Sequence, residues 1–600
     1  MAVPVSGPYG VTKSFFRRTW ALTAPYWRSD QWRWAWGLLV SVVALTLGLV
    51  YINVLINDWY RQFYNALEQR DFGAFQYLIL YFAGLATVYI VAAVYRIYLT
   101  QMLEIRWRSW LTDRYVSRWL DNQAYYRLEL QNRGTDNPDQ RIAEDLRLYT
   151  TGTLSLALGL LSSVVTLISF VVILWAISGP LAFTLGGLDI VIPGYMVWAA
   201  VLYAIVGSVL THFIGRRLIG INFLQERYEA DFRFSLVRLR ENAEGVALYH
   251  GERPERAHLM GRFGNIQTNW WQLMQYTKRL TFFTAGYSQV AIIFPILVAA
   301  PRYFAGELTL GGLQQIGNAF RQVETSLSWF INVYENIANW KASVDRLLTF
   351  EDALIDIAVD TTSTERVEVT PAPTPVLRAE GLNLALPTGA AVLSGASFAV
   401  EPGERVLVKG PSGSGKSTLF RALAGIWPFG RGRVERPVDA TVLFLPQRPY
   451  IPIGTLREAV SYPAGPDAFG DDEIRAVLED VKLGAFADHL DEADNWSLRM
   501  SGGEQQRLAV ARALLHRPDW LFMDEATSAL DEPTEQHLYG LLRERLSNAA
   551  IVNISHRPAD REFHDRTFEL VPNGGPAHLR MEPATDGRAG APSAQAPAAG

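Results

Sequence analysis

The chain has 600 residues, of which 49% are hydrophobic, and a formal net charge of −5. That length exceeds one hydrophobic core, so more than one domain is expected, and the mildly acidic balance argues against nucleic acid as a partner. The absence of cysteine excludes disulfides, thiolate nucleophiles and thiolate metal sites, and the nine histidines show no metal-ligand spacing.

Hydropathy divides the chain. The first ~350 residues carry long apolar runs, and the remainder reads as a soluble α/β sequence. At the N-terminus, Lys13, Arg17, Arg18, Arg28 and Arg33 are interleaved with Phe15, Phe16, Trp20, Tyr26 and Trp27. This is not a secretory signal, because no short apolar core leads to a cleavage site. Two readings stay open: a segment lying along the membrane surface, or a plain flank of the first span.

A membrane-crossing helix needs about 20 mostly apolar residues. Candidates run from Trp34 to Ile56, Gln76 to Leu99, Leu154 to Ile177, Val191 to Ile214 and Thr281 to Phe304. A sixth, from Leu313 to Tyr334, is far more polar. Basic residues orient the set. The loop after the second span carries Arg106, Arg108, Arg114, Arg118, Arg127, Arg133 and Arg141; the loop after the fourth is equally basic, whereas Ser178 to Asp189 has no Lys or Arg. The positive-inside rule therefore places both long loops, the N-terminus and the C-terminal domain in the cytoplasm.

In the sixth segment Asn318, Arg321, Thr325, Ser328 and Asn332 share one helical face, and Phe320, Val323, Leu327, Phe330 and Tyr334 take the other. Arg321 and Glu324 would be costly against lipid, so they are expected to face protein or water. Either the polar stripe lines a hydrated cavity for a polar cargo, or these groups satisfy each other between helices.

A Thr-, Pro- and Val-rich stretch (Thr361 to Pro375) leads into the soluble part. There a strand-like run, Arg405 to Lys409, is followed by Gly410, Pro411, Ser412, Gly413, Ser414, Gly415, Lys416, Ser417 and Thr418, then a helical run. This is the spacing of a phosphate-binding loop, whose backbone N–H groups close around the phosphates. Lys416 reaches the β- and γ-phosphates, and the Ser417 hydroxyl is placed for Mg²⁺. Further on, the apolar run Trp520 to Met523 ends in Asp524, suited to Mg²⁺, and Glu525, suited to polarising an attacking water.

With Ser501-Gly502-Gly503-Glu504-Gln505-Gln506 about twenty residues before that pair, the chain resembles the ATP-binding-cassette superfamily. The elements follow in family order: phosphate loop, Gln447 in Leu-Pro-Gln-Arg-Pro, the Ser-Gly-Gly-Glu-Gln-Gln signature, Asp524-Glu525, then Ser528-Ala529-Leu530-Asp531, with His556 resembling the switch histidine. The resemblance implies ATP and Mg²⁺ as cofactors, with Gln447 and His556 joining Glu525 in catalysis and Gln447 joining Ser417 and Asp524 at the metal. Ser501, Gly502, Gly503, Glu504 and Asp531 would contact nucleotide, Ser501 and Gly503 from the opposite subunit. One cassette per chain therefore implies dimerisation, most simply a homodimer. Met500 stands where Leu is usual, and Leu386 falls where an aromatic commonly stacks on adenine.

Thr135 to Ile142, Glu241 to Glu252 and Ala300 to Glu307 resemble subfamily D of these transporters and its bacterial relatives, which include peptide-uptake proteins and a mycobacterial importer of cobalamin and hydrophilic solutes. The fold implied is multidomain: an all-α six-helix transmembrane domain of exporter type plus an α/β P-loop nucleotide-binding domain. Its expected divisions are an interfacial segment (1–33), the transmembrane domain (34–350), a linker (351–376), the nucleotide-binding domain (377–575) and a disordered tail (576–600). Asn137 to Ile142 and Glu241 to Glu252 would couple cassette closure to the membrane helices. The expected function is ATP-driven movement of peptides, peptide antibiotics or cobalamin across the bacterial inner membrane, inward. Alternatives are an exporter of lipids or drugs, a fatty acyl-CoA transporter, or a membrane-anchored regulatory ATPase.

Overall fold

The computed structural model describes residues 13–131, 137–185, 188–360, 366–555, 563–572 and 574–582, and they form two compact units. One comprises residues up to Asp121 together with Gly134–Leu354; the other comprises Asn122–Arg133 together with the chain from Ile355 onward.

The first unit begins with the short helix α1 (Lys13–Thr23), followed by α2 (Trp32–Glu68) and α3 (Phe72–Leu120). After α4 (Ala124–Gln131) and the single turn α5 (Pro138–Gln140) come α6 (Leu146–Ser178), strands β1 (Pro180–Leu185) and β2 (Leu188–Pro193), and α7 (Tyr195–Glu241). The unit closes with α8 (Ala243–Leu248), α9 (Glu252–Phe304), α10 (Leu310–Asn332) and α11 (Tyr334–Asp360). Five of these helical runs are long and apolar enough to cross a membrane. In the run starting at Phe72 only 6% of the most apolar window is buried inside the protein, so that surface needs lipid or another protein chain to cover it.

The helices greatly exceed their apolar windows. At 1.5 Å per residue, the 53 residues of α9 extend about 80 Å, against the roughly 30 Å core of a bilayer. Much of what reads in the sequence as basic loop after the second and fourth spans is therefore continuous helix. The fourth helix also starts later than expected. Val191 and Ile192 lie in β2, paired antiparallel with β1 in a register that sets Pro180 opposite Pro193. Gly179 and Gly194, with φ of +59° and +60°, hold left-handed conformations that end α6 and precede α7.

The polar sixth segment is α10, which packs against α2, α6, α7 and α9. Leu313, Ile316, Ala319, Phe320 and Val323 are buried in one apolar cluster with Phe170, Leu174, Met196 and Ala200, and Leu327 packs at its edge. Arg321, Thr325 and Asn332 are exposed. At its N-terminus α10 is held by α2: Leu310 N–H donates to Glu68 (3.0 Å) and Gly311 N–H to Asn65 (3.0 Å). Gly311 is required there, since a Cβ would fall 2.0 Å from the Arg61 carbonyl oxygen.

The second unit contains two sheets. β3 (Val367–Ala372), β7 (Gly430–Pro437), β4 (Leu377–Ala385) and β5 (Ala391–Val400) form a four-stranded sheet in the order β3-β7-β4-β5. The second sheet runs β14-β13-β6-β12-β11-β8, comprising β14 (His578–Glu582), β13 (Arg566–Val571), β6 (Arg405–Lys409), β12 (Ala550–Ile554), β11 (Trp520–Asp524) and β8 (Val442–Leu445). From β13 to β8 its strands are parallel, and the inner strands β6, β12 and β11 read as near-continuous apolar runs because both their faces are covered, whereas β13 alternates buried and half-buried residues. A two-residue ladder pairs β9 (Gly454–Thr455) with β10 (Ala493–Asp494). The cassette's helices are α12 (Lys416–Leu423), α13 (Leu456–Ser461), α14 (Asp471–Asp480), α15 (Trp496–Arg499), α16 (Gly502–His516) and α17 (Glu532–Arg545).

Two of the expected divisions contain regular structure. The linker contains the end of α11 and strand β3, which pairs in parallel with β7 through Val369 and its neighbours. The tail is ordered through Glu582, because β14 completes the sheet edge antiparallel to β13. In the first long loop the helix that clusters with the cassette is α4, upstream of Asn137 to Ile142. There Leu130 packs on the cassette core, and burial pushes the Tyr126 hydroxyl above its usual range against the opposing charge of Arg421.

Candidate functional site

The site is built at the C-terminal ends of β6 and β11, where a parallel sheet delivers loops to a common edge. β6 ends at Lys409 and the chain turns through Gly410–Gly415 into α12. Gly415 has φ +94°, and a Cβ there would lie 2.4 Å from the Val392 side chain. Only glycine lets the loop close at that point. Gly413, at φ +80°, uses the same freedom. Thr418 is buried at the start of α12, whereas Ser412 is exposed.

Lys416 is 7% exposed, and its Nζ donates to the carbonyls of Gly410 (2.9 Å) and Pro411 (3.0 Å). Burial lowers its pKa, opposed by the nearby carboxylates of Glu525 and Asp524. Asp524 is raised above the usual carboxylate range, first by burial and further by Glu525; a hydrogen bond from Ser417 works against the rise. A carboxylate, a hydroxyl and a side-chain amide are the hard oxygen donors that suit Mg²⁺, and a cation beside Asp524 would restore its charge. Glu525 sits at φ +50°, anchored by its N–H to the Ile554 carbonyl (2.9 Å). Gln447 Nε2 donates to Glu525 Oε2 at 2.9 Å, so the glutamine loop and the Glu525 carboxylate meet directly.

The signature occupies a different place. Ser501 caps α16 reciprocally with Glu504: Glu504 N–H donates to Ser501 Oγ (3.4 Å) and Ser501 N–H to Glu504 Oε2 (2.8 Å). The bond from the Ser501 backbone holds the Glu504 carboxyl below its usual range. Gly503 packs against Ala529 and Leu530, ahead of Asp531 at the N-cap of α17. Among the described residues, the partners of Ser501 lie on its own helix rather than on the phosphate loop. His556 lies outside the described residues.

Gln506 is a residue of the candidate site that sequence reasoning did not single out. It is 4% exposed, and its Nε2 donates to the Ser528 hydroxyl (3.1 Å), the Gln447 carbonyl (3.3 Å) and the Glu525 carbonyl (3.4 Å). Its Oε1 accepts from Ala529 N–H at 2.8 Å. One side chain on the signature helix thereby ties together the glutamine loop, the Glu525 backbone and the segment leading to Asp531. Its signal was present as the last glutamine of the signature. Leu386, at the expected adenine position, is 40% exposed in a turn closed by its N–H to the Ala390 carbonyl (2.8 Å).

A phosphate loop, a paired Asp-Glu and a signature helix on one cassette, joined in one chain to a bundle of membrane helices, define an ATP-hydrolysing transport protein. Models of two families match: ABC transporter transmembrane region 2 over residues 22–304 and ABC transporter over residues 393–528. The inner membrane ABC transporter ATP-binding protein YddA of Escherichia coli is 36% identical over 90% of this chain and 94% of its own length. ABC transporter D family member 2, chloroplastic, of Arabidopsis thaliana is 34% identical, covering 93% and 86%. The human lysosomal cobalamin transporter ABCD4 is 26% identical, covering 90% and 92%. A solved structure of a bacterial Atm1-family ABC exporter with ATP bound superposes with a TM-score of 0.71 at 20% identity, over 90% of this chain and 95% of that one, which shows the exporter-type fold. The chain belongs to the ABC transporter family, as a half-transporter of subfamily D type whose ATPase is coupled to transport.

Proposed function

We propose that two copies of this chain act together in the bacterial inner membrane, cassettes and N-termini in the cytoplasm, to move a polar cargo inward. Peptides, peptide antibiotics and cobalamin are the proposed cargo classes. The observation that carries the reading is the division of α10: its apolar side is buried among α2, α6, α7 and α9, while Arg321, Thr325 and Asn332 stay exposed. A helix facing lipid would present the opposite face. The name of the human relative, a cobalamin transporter, supports a large polar cargo.

In the cycle proposed, Gly410–Thr418 cradle the ATP phosphates, with Ser417, Asp524 and Gln447 as Mg²⁺ ligands. Glu525 polarises water, Gln447 and His556 sense the γ-phosphate side, and Ser501 to Glu504 and Asp531 of the second copy complete the site. Replacing Arg321 and Asn332 with Leu tests the cargo path: uptake is expected to fall while ATPase activity holds. Unchanged uptake at equal ATPase activity would remove α10 from the path.

A further inference from the structure

The N-terminal helix carries two faces and no acidic residue. Its inner face is tied to the bundle: Phe15 is buried edge-on against Trp340 (6.0 Å), and Thr23 and Tyr149 hydroxyls lie 2.6 Å apart. Arg18 bonds Asp352 at 2.6 Å. The Thr23 contact joins α1 to α6, and the Phe15 and Arg18 contacts join it to α11, the helix whose chain continues into the cassette.

The outer face is different. Phe16 and Trp20, one helical turn apart, are each 62% exposed, with Arg17 exposed beside them. The same character continues into the first turns of α2, where Trp34 is 59% exposed beneath the Arg106 guanidinium, 4.8 Å above its ring. Arg28 and Arg33 are exposed as well. Among the described residues, Arg17, Arg28 and Arg33 form no ion pair. Large aromatics with cations, at the entry of the first membrane-crossing helix, match the headgroup level of a bilayer rather than water or acyl chains.

We propose that the outer face of α1 and the first turns of α2 form a docking surface for anionic phospholipid headgroups, and that its occupancy raises the ATPase rate through the α1–α11 contacts. The aromatic rings supply insertion at the interface, and the three arginines supply the preference for negative charge. Each basic residue near an anionic surface favours partitioning about fivefold, so the three together amount to roughly a hundredfold.

The test uses the full chain in nanodiscs of phosphatidylcholine, with and without phosphatidylglycerol. Wild type is expected to hydrolyse ATP several-fold faster with the anionic lipid and to immobilise spin-labelled phosphatidylglycerol, both effects fading at high salt. Arg17→Gln, Arg28→Gln and Arg33→Gln combined should match wild type in the neutral discs and lose the response and the immobilisation. Equal wild-type rates in both lipids would overturn the proposal. A triple variant that keeps the full response would do so too, as would one whose loss follows from dimer dissociation with lipid binding intact. If the variant is inactive in neutral discs, the wild-type salt dependence decides: a response insensitive to salt refutes an electrostatic headgroup site.

Discussion

Gln506→Leu removes the node between the glutamine loop, Glu525 and the segment before Asp531 while keeping a side chain of similar size in a site only 4% exposed. Two of the lost bonds have good geometry, at 2.8 and 3.1 Å, and two are longer, at 3.3 and 3.4 Å. A typical hydrogen bond contributes about 1 kcal/mol net, so the arrangement competent for hydrolysis should lose about 2–3 kcal/mol. Since about 1.4 kcal/mol is a factor of ten in rate, kcat should fall roughly 30- to 150-fold. Among the described residues the phosphate loop makes no bond to Gln506, so KM for ATP should move less than about threefold. Gln506→Glu retains the acceptor for Ala529 N–H but not the donor, and should be intermediate. Steady-state ATPase assays on the reconstituted full chain read both parameters. A Gln506→Leu protein with kcat within about twofold of wild type, or with its loss confined to KM, would refute the role assigned to this residue.

Two further substitutions probe other parts of the fold. Gly415→Ala forces a Cβ to within 2.4 Å of Val392 in a left-handed conformation, and strain of about 1–3 kcal/mol should weaken ATP binding about tenfold or more; a titration with a fluorescent ATP analogue that shows unchanged affinity would contradict this. Arg346→Ala deprives Asp145, 1% exposed, of one partner and leaves it to Arg141 at 3.0 Å. Unpairing a buried ion pair costs about 3–5 kcal/mol, and Arg141 should offset part of that. The thermal midpoint of the purified protein should drop, and an unaltered midpoint would argue against the pairing.

Much of the nucleotide site was legible because its chemistry is local in sequence. Gly410 to Thr418 and Asp524-Glu525 each need neighbouring residues in a fixed order, and a strand before them is evident from Val406 to Val408 and Leu521 to Met523. Gln506 was less visible, since its role depends on loops far apart in the chain. The membrane unit was legible where hydropathy is uniform and poorly so elsewhere. A window average over α10 mixes Phe320 and Val323 with Asn318 and Arg321, so only packing shows which side is buried. Val191 and Ile192 read as the start of a span, yet Pro193 and Gly194 set them in a strand. The arginines after Leu99 mark the end of the lipid-crossing part but do not end the helix, which runs in one piece to Leu120. The grouping of α4 with the cassette needs a turn at Asn122, whose φ of +50° sequence alone does not announce.

Inward movement of polar cargo is tested most directly by membrane vesicles of both orientations, loaded with ATP on the cassette side and offered labelled cobalamin or an antimicrobial peptide. Right-side-out vesicles should accumulate at least one of them in an ATP-dependent manner, and Glu525→Gln, which retains nucleotide binding but lacks the carboxylate beside Gln447, should abolish it. Accumulation confined to inverted vesicles, or uptake equal in the Glu525→Gln protein, would contradict ATP-driven import.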